Sequence, residues 1–439
     1  MSARALDWLG RGVVAYAGVM LFRRMLNLPV VQYKVQPPEL LFLFLFPLAL
    51  FAVGRRLWPG WSLFLGGTLL YLASLTTASA LTGDPVSQLE ALGRWYLLLV
   101  FLLVVWYVRA RGRTGVENIL RAWTWGMALI YAAAYLGYGL ALADVTTRYV
   151  VVYENYPYFG TVWRAASFCG GPTPVAVFGI LPLAWQWRRW RTGRGGGWFL
   201  ALAAPVLLLT FAKEVLLVGL ACGLADPLVA GSGPPPPRGG GSRRMAFFVA
   251  RKRNWLAWAL AVPVALLYWG TTHYLVEPAR DYGPGDLAGV VYNSGRVAWR
   301  GEETQLTESS YVAIKRACLE AARHHPLVGI GADRLEHFTA AAKAEGHYPA
   351  HLPAYTPHST YFGALAETGH LGLLGVLGLL FGAGRMLRRG REEKDAADHA
   401  LLGFAVAFLI GGMCMDLLHL RFVWVALGLI VGGAASRLP

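Results

Sequence analysis

The chain has 439 residues, of which 56% are hydrophobic and 15% are charged. Soluble domains typically carry about 25% charged residues, so this composition excludes an ordinary soluble protein and favours an integral membrane protein. The formal net charge of +15 does not indicate nucleic-acid binding, because the basic residues lie in short clusters between apolar runs. Such placement is typical of the loops of a multi-pass membrane protein.

Long apolar runs recur along the whole chain, the pattern that a hydrocarbon layer about 30 Å thick imposes on membrane-spanning helices. We therefore predict an all-α fold with about twelve transmembrane helices. Their predicted ranges are 12–30, 39–54, 59–81, 92–109, 119–142, 173–187, 198–212, 214–230, 255–276, 359–384, 399–417 and 421–436. Helices 1–9 then occupy residues 1–276, a large loop occupies 277–358, and helices 10–12 occupy 359–439.

Lysine and arginine collect in alternate loops, and this pattern predicts the orientation because positively charged loops stay in the cytoplasm. The basic clusters lie at 55–56, 109–113, 188–194, 243–252 and 385–391. Both termini are then cytoplasmic, and residues 143–172 and 277–358 lie on the outer side of the membrane. Arg23, Arg24 and Lys34 also fall on the outer side, and this scheme has no account of them.

The sequence contains no motif typical of a metal or cofactor site. It has no Asp-x-Asp pair, no His-Glu-x-x-His and no Cys or His spacing typical of zinc ligands. We therefore expect neither a metal nor a cofactor. The first apolar stretch, residues 13–22, lacks a small-residue cleavage site and is followed by further helices, so we expect no cleavable signal peptide.

The loop over 277–358 is the longest polar segment, and it contains two predicted helices. Thr307 to Ser310 precede an Ala-rich stretch that continues to Arg323, which is typical of a capped helix that ends before Pro326. A second helix is predicted over 332–344. We expect both helices to lie along the membrane surface on its outer side and to cover a cavity.

A histidine marks the point where this loop returns to the membrane. The run Tyr-Thr-Pro-His-Ser-Thr-Tyr occupies 355–361, and Glu367 follows it. Pro357 restricts the backbone before His358, so the imidazole is expected at the water–lipid boundary, where it can accept a proton. The alternative interpretation is a histidine that only begins a helix and carries no chemistry.

Cationic residues on the predicted outer side could complete a pocket around this histidine. Arg164 precedes a helix, Arg296 lies in the large loop, and Lys213 lies where two short helices meet. Guanidinium groups bind phosphate oxygens bidentately and keep their charge, which suits the capture of a diphosphate. Each of the three could instead serve structure alone, and Lys213 could simply pair with Glu214.

Two further charged residues lie near the outer end of the penultimate helix. Asp416 and Arg421 flank His419 there. They could orient His358 or contact a substrate, and they could equally form an ion pair at the membrane interface.

Three short runs follow one another in this part of the chain: Arg-His-His-Pro-Leu-Val-Gly-Ile-Gly over 323–331, His-Ser-Thr-Tyr at 358–361 and Glu-Thr-Gly-His-Leu-Gly at 367–372. Together they resemble the signature of the O-antigen ligase and polymerase superfamily. That signature has a Pro-Leu turn with two glycines, then His-Asn-x-Tyr or Phe, then Glu-x-Gly-x-x-Gly. The run over 164–172 loosely resembles an earlier arginine-containing segment of the family, and Lys213 falls where the family often has Ser-Arg.

The resemblance implies a helical, GT-C-like membrane fold and a glycan donor carried on a polyprenyl diphosphate such as undecaprenyl diphosphate. It implies that His358 is the general base and that Arg164 and Arg296 bind the diphosphate, with Ser359 and Glu367 in support. The acceptor is then lipid A-core or another envelope glycan, the other partners are membrane lipids, and no nucleic acid is involved. We expect the base to take the proton of an acceptor hydroxyl, which attacks the anomeric carbon while the lipid diphosphate leaves.

The sequence departs from the family pattern at three places. Ser359 replaces the asparagine that usually follows the histidine, so the partner of the imidazole can differ. The segment after Arg296 is long, and Arg300 could be the true counterpart of the family arginine. Lys213 replaces an arginine, which keeps the charge but loses the fork geometry.

Four functions are compatible with these features of the sequence. A ligase moves a finished glycan to a new acceptor, and a polymerase adds one lipid-linked repeat to another; the single dominant outer loop favours the ligase. A transporter of lipid-linked sugars would place its ionisable residues near mid-membrane, whereas here they collect on one side. A structural partner of an envelope complex remains the alternative without chemistry.

Overall fold

The computed structural model describes residues 3–22, 36–53, 62–145, 147–156, 160–226, 259, 261–283, 286–287, 290–388 and 395–435. This part of the chain is mostly helical. The basic residues predicted on the outer side at 23–34 and the basic cluster at 243–252 lie outside the described residues.

The helices follow the predicted order, with shifted ends. They are α1 (Ala3–Val19), α2 (Pro37–Val53), α3 (Ser62–Leu81), α4 (Pro85–Leu142), α5 (Pro172–Arg191), α6 (Gly197–Leu209), α7 (Val215–Leu224), α8 (Ser310–His324), α9 (Leu335–Ala344), α10 (Thr360–Arg388), α11 (Ala396–Gly411) and α12 (Arg421–Ala435). Residues 261–273 are also helical. Helices α8 and α9 are those predicted in the large loop.

Helix α4 contains two predicted helices and folds back on itself at Gly112. This glycine has φ 56° and ψ −135°, outside the helical region. The Asn118 side chain donates to the Tyr107 hydroxyl at 3.3 Å, although eleven residues of straight helix would separate the two by about 16 Å. The two helices predicted over 92–109 and 119–142 are therefore present, joined by a sharp break and not by the loop we expected.

Three of the described helices are long and apolar enough to cross a membrane by themselves: Leu63–Leu81, Pro85–Leu142 and Thr360–Arg388. Shorter apolar helices of 10–17 residues accompany them, among them α6, α7 and α11. Together they support an integral membrane protein with several apolar helices.

The all-α prediction is wrong for the two predicted outer segments, which contain small antiparallel sheets. In the first, β1 (Val150–Tyr156) pairs with β2 (Gly160–Ala165). In the second, β3 (Tyr274–Pro278), β4 (Asn293–Arg300) and β5 (Thr304–Ser309) form a sheet in the order β3-β5-β4.

The second sheet escaped prediction because its buried face is polar. Gln305, Thr307 and Ser309 of β5 are buried, so the strand lacks the alternating apolar residues that signal a half-buried strand. Hydrogen bonds make this burial tolerable: Thr307 Oγ1 donates to Glu277 Oε2 at 3.4 Å, and the Asn293 amide donates to the same oxygen at 3.0 Å.

One continuous apolar core joins the helices. Leu9 of α1, Leu72 of α3, Trp123 of α4, Trp185 of α5 and Trp424 of α12 are all buried within it. A second core under the outer helices includes Cys318 of α8, Leu335 of α9 and Ala366 of α10. The outer unit is therefore packed directly on the first half of α10.

Helices α3 and α10 approach each other closely through glycines. A Cβ atom on Gly375 would lie 2.5 Å from the Tyr71 backbone nitrogen, and one on Gly382 would lie 2.7 Å from Phe64 Cα. Small residues at a helix interface are a common device of membrane proteins, in which backbone packing replaces the hydrophobic effect. This contact holds α10, and with it the residues at its beginning.

Candidate functional site

The turn over 326–331 docks on a break in α10. Gly369 has φ 65°, which interrupts the helical hydrogen bonds there. The backbone of the turn takes up the freed groups: Ile330 N donates to Ala366 O at 2.9 Å, and Gly331 N donates to Glu367 O at 3.0 Å. Two motifs that lie apart in the sequence therefore form one structural unit.

Glycine is required on both sides of this contact. Gly329 has φ 75°, and a Cβ atom there would collide with the Glu367 carbonyl carbon and the Thr368 nitrogen. A Cβ atom on Gly369 would collide with the Leu327 backbone. Both positions combine a left-handed backbone with a close approach, so only glycine fits without strain.

The beginning of α10 is tied to the loop over 412–417. Ser359 Oγ donates to Gly412 O at 3.0 Å, and Thr360 N donates to Gly412 O and Met415 O at 2.8 Å. Leu417 N donates to Thr360 Oγ1 at 2.9 Å. Ser359, which replaces the family asparagine, thus bonds to the backbone and fixes the position of the neighbouring histidine.

A cavity of about 440 Å³ lies where α4, α5, the start of α10 and the 412–420 loop meet. His358 lines it, as do the predicted supporting residues Glu367 and Asp416. The acidic and basic residues of the lining, with its histidines, are Glu90, Arg94, Asp333, His358, Glu367, Asp416 and His419.

The His358 imidazole lies between two tyrosine rings, with ring centroids 5.3 Å from Tyr311 and 5.5 Å from Tyr355. No described residue forms a hydrogen bond with its ring nitrogens. Burial, together with the positive charge of Lys213, lowers the pKa of His358 to about 4. The imidazole is therefore neutral at neutral pH and can accept a proton.

Lys213 lies near this histidine through Tyr311, and Arg164 lies near Lys213. Lys213 Nζ lies 4.1 Å from the centroid of the Tyr311 ring, and burial lowers the pKa of this lysine. Arg164 Nε donates to Thr210 O at 2.7 Å, three residues before Lys213. The fold therefore brings these two predicted cations near each other, with Lys213 the one close to His358, and neither lines the cavity itself.

Sequence reasoning missed Lys315, which joins the same cationic group. Its Nζ contacts His273 Nε2 and lies 5.4 Å from the Phe362 ring centroid. Burial lowers the pKa of Lys315, and its charge acts on the Cys414 thiol of the cavity lining. The sequence shows it only as one of several basic residues in the predicted Ala-rich helix, so its place beside the cavity becomes visible only in the structure.

Arg94 was also missed, and it pairs inside the cavity. Its Nη2 lies 3.7 Å from Asp416 Oδ2, and the same oxygen lies 3.0 Å from His419 Nδ1. Arg94 Nε is buried and has no hydrogen-bond partner among the described residues. A lone arginine near the end of an otherwise apolar helix was the signal in the sequence.

Arg421 forms an ion pair, which is the alternative to a role in the site. It forms an ion pair with Glu39 of α2, and both side chains are 16% exposed. Tyr96 donates a hydrogen bond to the same carboxyl group at 3.5 Å. This pair lies outside the cavity lining and joins α2 to the beginning of α12.

Arg296 and Arg300 do not converge on His358. The Arg296 side chain is 67% exposed, lies 4.0 Å from Glu308 Oε2 and lines a separate cavity of about 1130 Å³. Arg300 Nη1 pairs with Asp281 at 2.6 Å. The structure therefore brings neither Arg296 nor its alternative Arg300 into a pocket with His358, because β4 carries both on the far sheet of the outer unit.

The family model described as O-antigen ligase matches residues 244–377. The match includes the docked turn, His358 and the break in α10, so the resemblance predicted from the motifs is confirmed. It does not separate ligases from polymerases. Arg94, Arg164, Lys213 and Asp416 lie outside the matched region. No curated protein matches the chain.

Proposed function

We propose that the chain, in which residues 244–377 match the O-antigen ligase family model, moves a glycan from a polyprenyl diphosphate carrier, undecaprenyl diphosphate by resemblance, to a hydroxyl of an envelope acceptor such as lipid A-core. One observation carries this proposal: the imidazole of His358 is neutral at neutral pH, has no hydrogen-bond partner among the described residues, and lines a cavity with Lys213 nearby. A base next to cations is the arrangement that glycan transfer from a diphosphate requires.

In the proposed reaction, His358 takes the proton of the acceptor hydroxyl as its oxygen attacks the anomeric carbon. The bond from that carbon to the diphosphate oxygen breaks, and the lipid diphosphate leaves with the electron pair. A single displacement of this kind inverts the anomeric configuration. No metal ion or cofactor takes part.

In this proposal, the cations next to Tyr311 bind the diphosphate. Lys213 lies on the Tyr311 ring, and Tyr311 lies against His358, so a leaving group there is close to the base. Arg164 and Lys315 extend this positive charge. Arg296 and Arg300 are weaker candidates for the same role, because they pair with acidic residues of the outer unit.

Glu367 and Asp416 line the cavity. In the proposed reaction they contact the acceptor or position the residues that contact it. Ser359 acts by positioning, through its bond to Gly412. The Arg421 pair with Glu39 serves the assembly of the helices.

The proposed topology has about twelve spans, cytoplasmic termini and a site that faces the periplasm across the bacterial inner membrane. The cavity residues support it, because Glu90, His358 and Asp416 all lie at helix ends that the charge pattern assigns to the outer side. A cavity at one end of the bundle favours an enzyme over a transporter with a site at the midplane.

The proposal is tested with the purified chain in lipid nanodiscs, an undecaprenyl diphosphate-linked glycan and candidate acceptors. A single glycan block on a new acceptor identifies a ligase, and a ladder that stays on the carrier identifies a polymerase, the alternative function. His358→Ala is expected to reduce transfer by at least about a hundredfold, because general base catalysis typically contributes that much.

The matched control is His324→Ala, which removes an exposed histidine that pairs with Glu320 in the same region. It should transfer at the unaltered rate. Retained activity in a folded His358→Ala protein would remove the imidazole from the mechanism.

A further inference from the structure

The Tyr311 ring contacts both the proposed base and a cation proposed to bind the diphosphate. The ring centroid lies 5.3 Å from that of the His358 imidazole, and Lys213 Nζ lies 4.1 Å from the same centroid. Tyr311 and His358 both line the cavity, whereas Lys213 does not. A single aromatic side chain therefore separates a proton acceptor from an ammonium ion.

In the described part of the chain, neither of these two groups makes a hydrogen bond. The ring nitrogens of His358 accept none, and the Lys213 ammonium donates none. Lys213 also does not form the ion pair with Glu214 that their adjacency in sequence suggests, although the two charges attract each other over a longer distance. The recorded contact that holds the ammonium is the face of the Tyr311 ring.

An ammonium ion and a neutral imidazole nitrogen attract each other, because a charge-assisted hydrogen bond can form between them. The same helix shows such a bond, since Lys315 Nζ contacts His273 Nε2. Lysine has a flexible four-carbon stem, so a Lys213 released from the ring could reach the groups beside it. A bond to His358 would occupy the lone pair of the base and one donor of the cation.

The Tyr311 ring is held by its backbone and not by its hydroxyl group. Helix α8 is fixed at its beginning, where Ser310 N donates to Tyr292 O at 2.9 Å. The Tyr311 hydroxyl forms no hydrogen bond with a described residue. By contrast, Tyr355, the second ring beside the imidazole, donates through its hydroxyl to Val291 O at 2.9 Å. The contact to Lys213 and His358 therefore depends on the aromatic ring of Tyr311.

We propose that Tyr311 is a positioning residue whose ring holds the Lys213 ammonium away from the His358 nitrogens. This role rests on the proposed function and adds a residue to its site. The π face attracts the ammonium electrostatically, so the lysine keeps donors for phosphate oxygens. The imidazole in turn keeps its lone pair for the acceptor hydroxyl. Base and cation thus stay close without neutralising each other.

The test measures kcat for the full chain in nanodiscs, with an undecaprenyl diphosphate-linked glycan as donor and lipid A-core as acceptor. Tyr311→Phe keeps the ring and is expected to stay within about twofold of the unaltered rate. Tyr311→Leu removes the ring and is expected to lower kcat at least about tenfold, because a charge-assisted hydrogen bond must then break before the base can act. Tyr311→Met takes its place if the leucine variant does not fold.

Lys213→Met separates this role from a purely structural one. In the unaltered background it removes a cation from the diphosphate and should lower kcat. In the Tyr311→Leu background it removes the group that occupies the imidazole, so it should raise kcat. Tyr355→Leu is the matched control, because it removes the other ring beside His358 and the recorded contact of Lys213 does not involve it. In that background Lys213→Met should lower kcat as in the unaltered chain.

Equal reductions by Lys213→Met in the unaltered and Tyr311→Leu backgrounds would overturn the proposed role of Tyr311 while transfer itself continued. A folded Tyr311→Phe variant as slow as Tyr311→Leu would overturn it as well, since the ring would then not suffice. An unaltered chain that transfers no glycan would contradict the proposed function instead. The two failures are therefore distinguishable in one set of reactions.

Discussion

His358 is a largely buried histidine whose ring nitrogens nevertheless make no hydrogen bond to any described residue. Burial disfavours the imidazolium ion. Lys213 adds a positive charge nearby that disfavours protonation further. The imidazole therefore stays neutral and can accept a proton from a substrate, but its low pKa makes it a weaker base. Cations that stabilise the leaving group can offset that weakness.

The low pKa of His358, about 4, predicts an unusual pH profile. The neutral imidazole is the active form, so activity is lost only as pH falls through the pKa of the free enzyme. We expect kcat/KM at pH 5.5 to remain within about twofold of its value at pH 7.5, whereas a histidine with the ordinary pKa of about 6.5 would retain only about a tenth. Initial transfer rates at low acceptor concentration measure this directly.

Lys213→Gln removes the charge that helps to lower this pKa, so the acid limb should move to higher pH, while the diphosphate donor binds less well. Lys343→Gln, in the last turn of α9, is the control and should leave the profile in place. A half-maximal rate near pH 6.5 in the unaltered chain would contradict the environment described for His358.

At the scale of the elements, the docked turn and the break in α10 explain why the two sequence motifs occur together. The turn over 326–331 supplies backbone donors to Ala366 and Glu367, whose carbonyls are free only because Gly369 leaves the helix. Glu367 is thereby oriented toward the cavity.

Gly369→Ala tests this contact. A Cβ atom there collides with the Leu327 backbone, and the left-handed conformation alone costs about 1–3 kcal/mol for a residue other than glycine. We expect a lower unfolding temperature in detergent, measured by fluorescence, and a loss of transfer. Gly384→Ala changes the same helix where no atom lies within 4 Å, so it should be neutral or slightly stabilising. Equal unfolding temperatures for the two variants would show that the turn tolerates a side chain.

The helices and the histidine could be predicted from the sequence because each has a local signal. Apolar runs fix the helices, and His358 lies in a recognisable motif. Arg94 and Lys315 could not be assigned in the same way, because their meaning depends on packing between distant elements. The strand β5 gave no signal, since its buried residues are polar and are satisfied only by partners such as Glu277.

The residues that line the cavity lie at one end of the helix bundle. Glu90 and His419 line the same cavity although most of the chain separates them in sequence. The apolar core and the glycine contact between α3 and α10 hold these ends together. If the positive-inside pattern is obeyed, this end faces away from the cytoplasm.

Single cysteines at opposite ends of the bundle test that orientation. Glu345→Cys lies on the outer unit and Thr192→Cys follows α5, and both positions are exposed. In intact spheroplasts, a membrane-impermeant maleimide is expected to label Glu345→Cys, whereas Thr192→Cys should react only after lysis. The unaltered chain, whose cysteines at 169, 318 and 414 are buried and whose Cys222 is only partly exposed, gives the background. The reverse pattern would place His358 and its cavity in the cytoplasm, where a donor presented on the outer face could not reach the base, and the proposed periplasmic transfer would then be excluded.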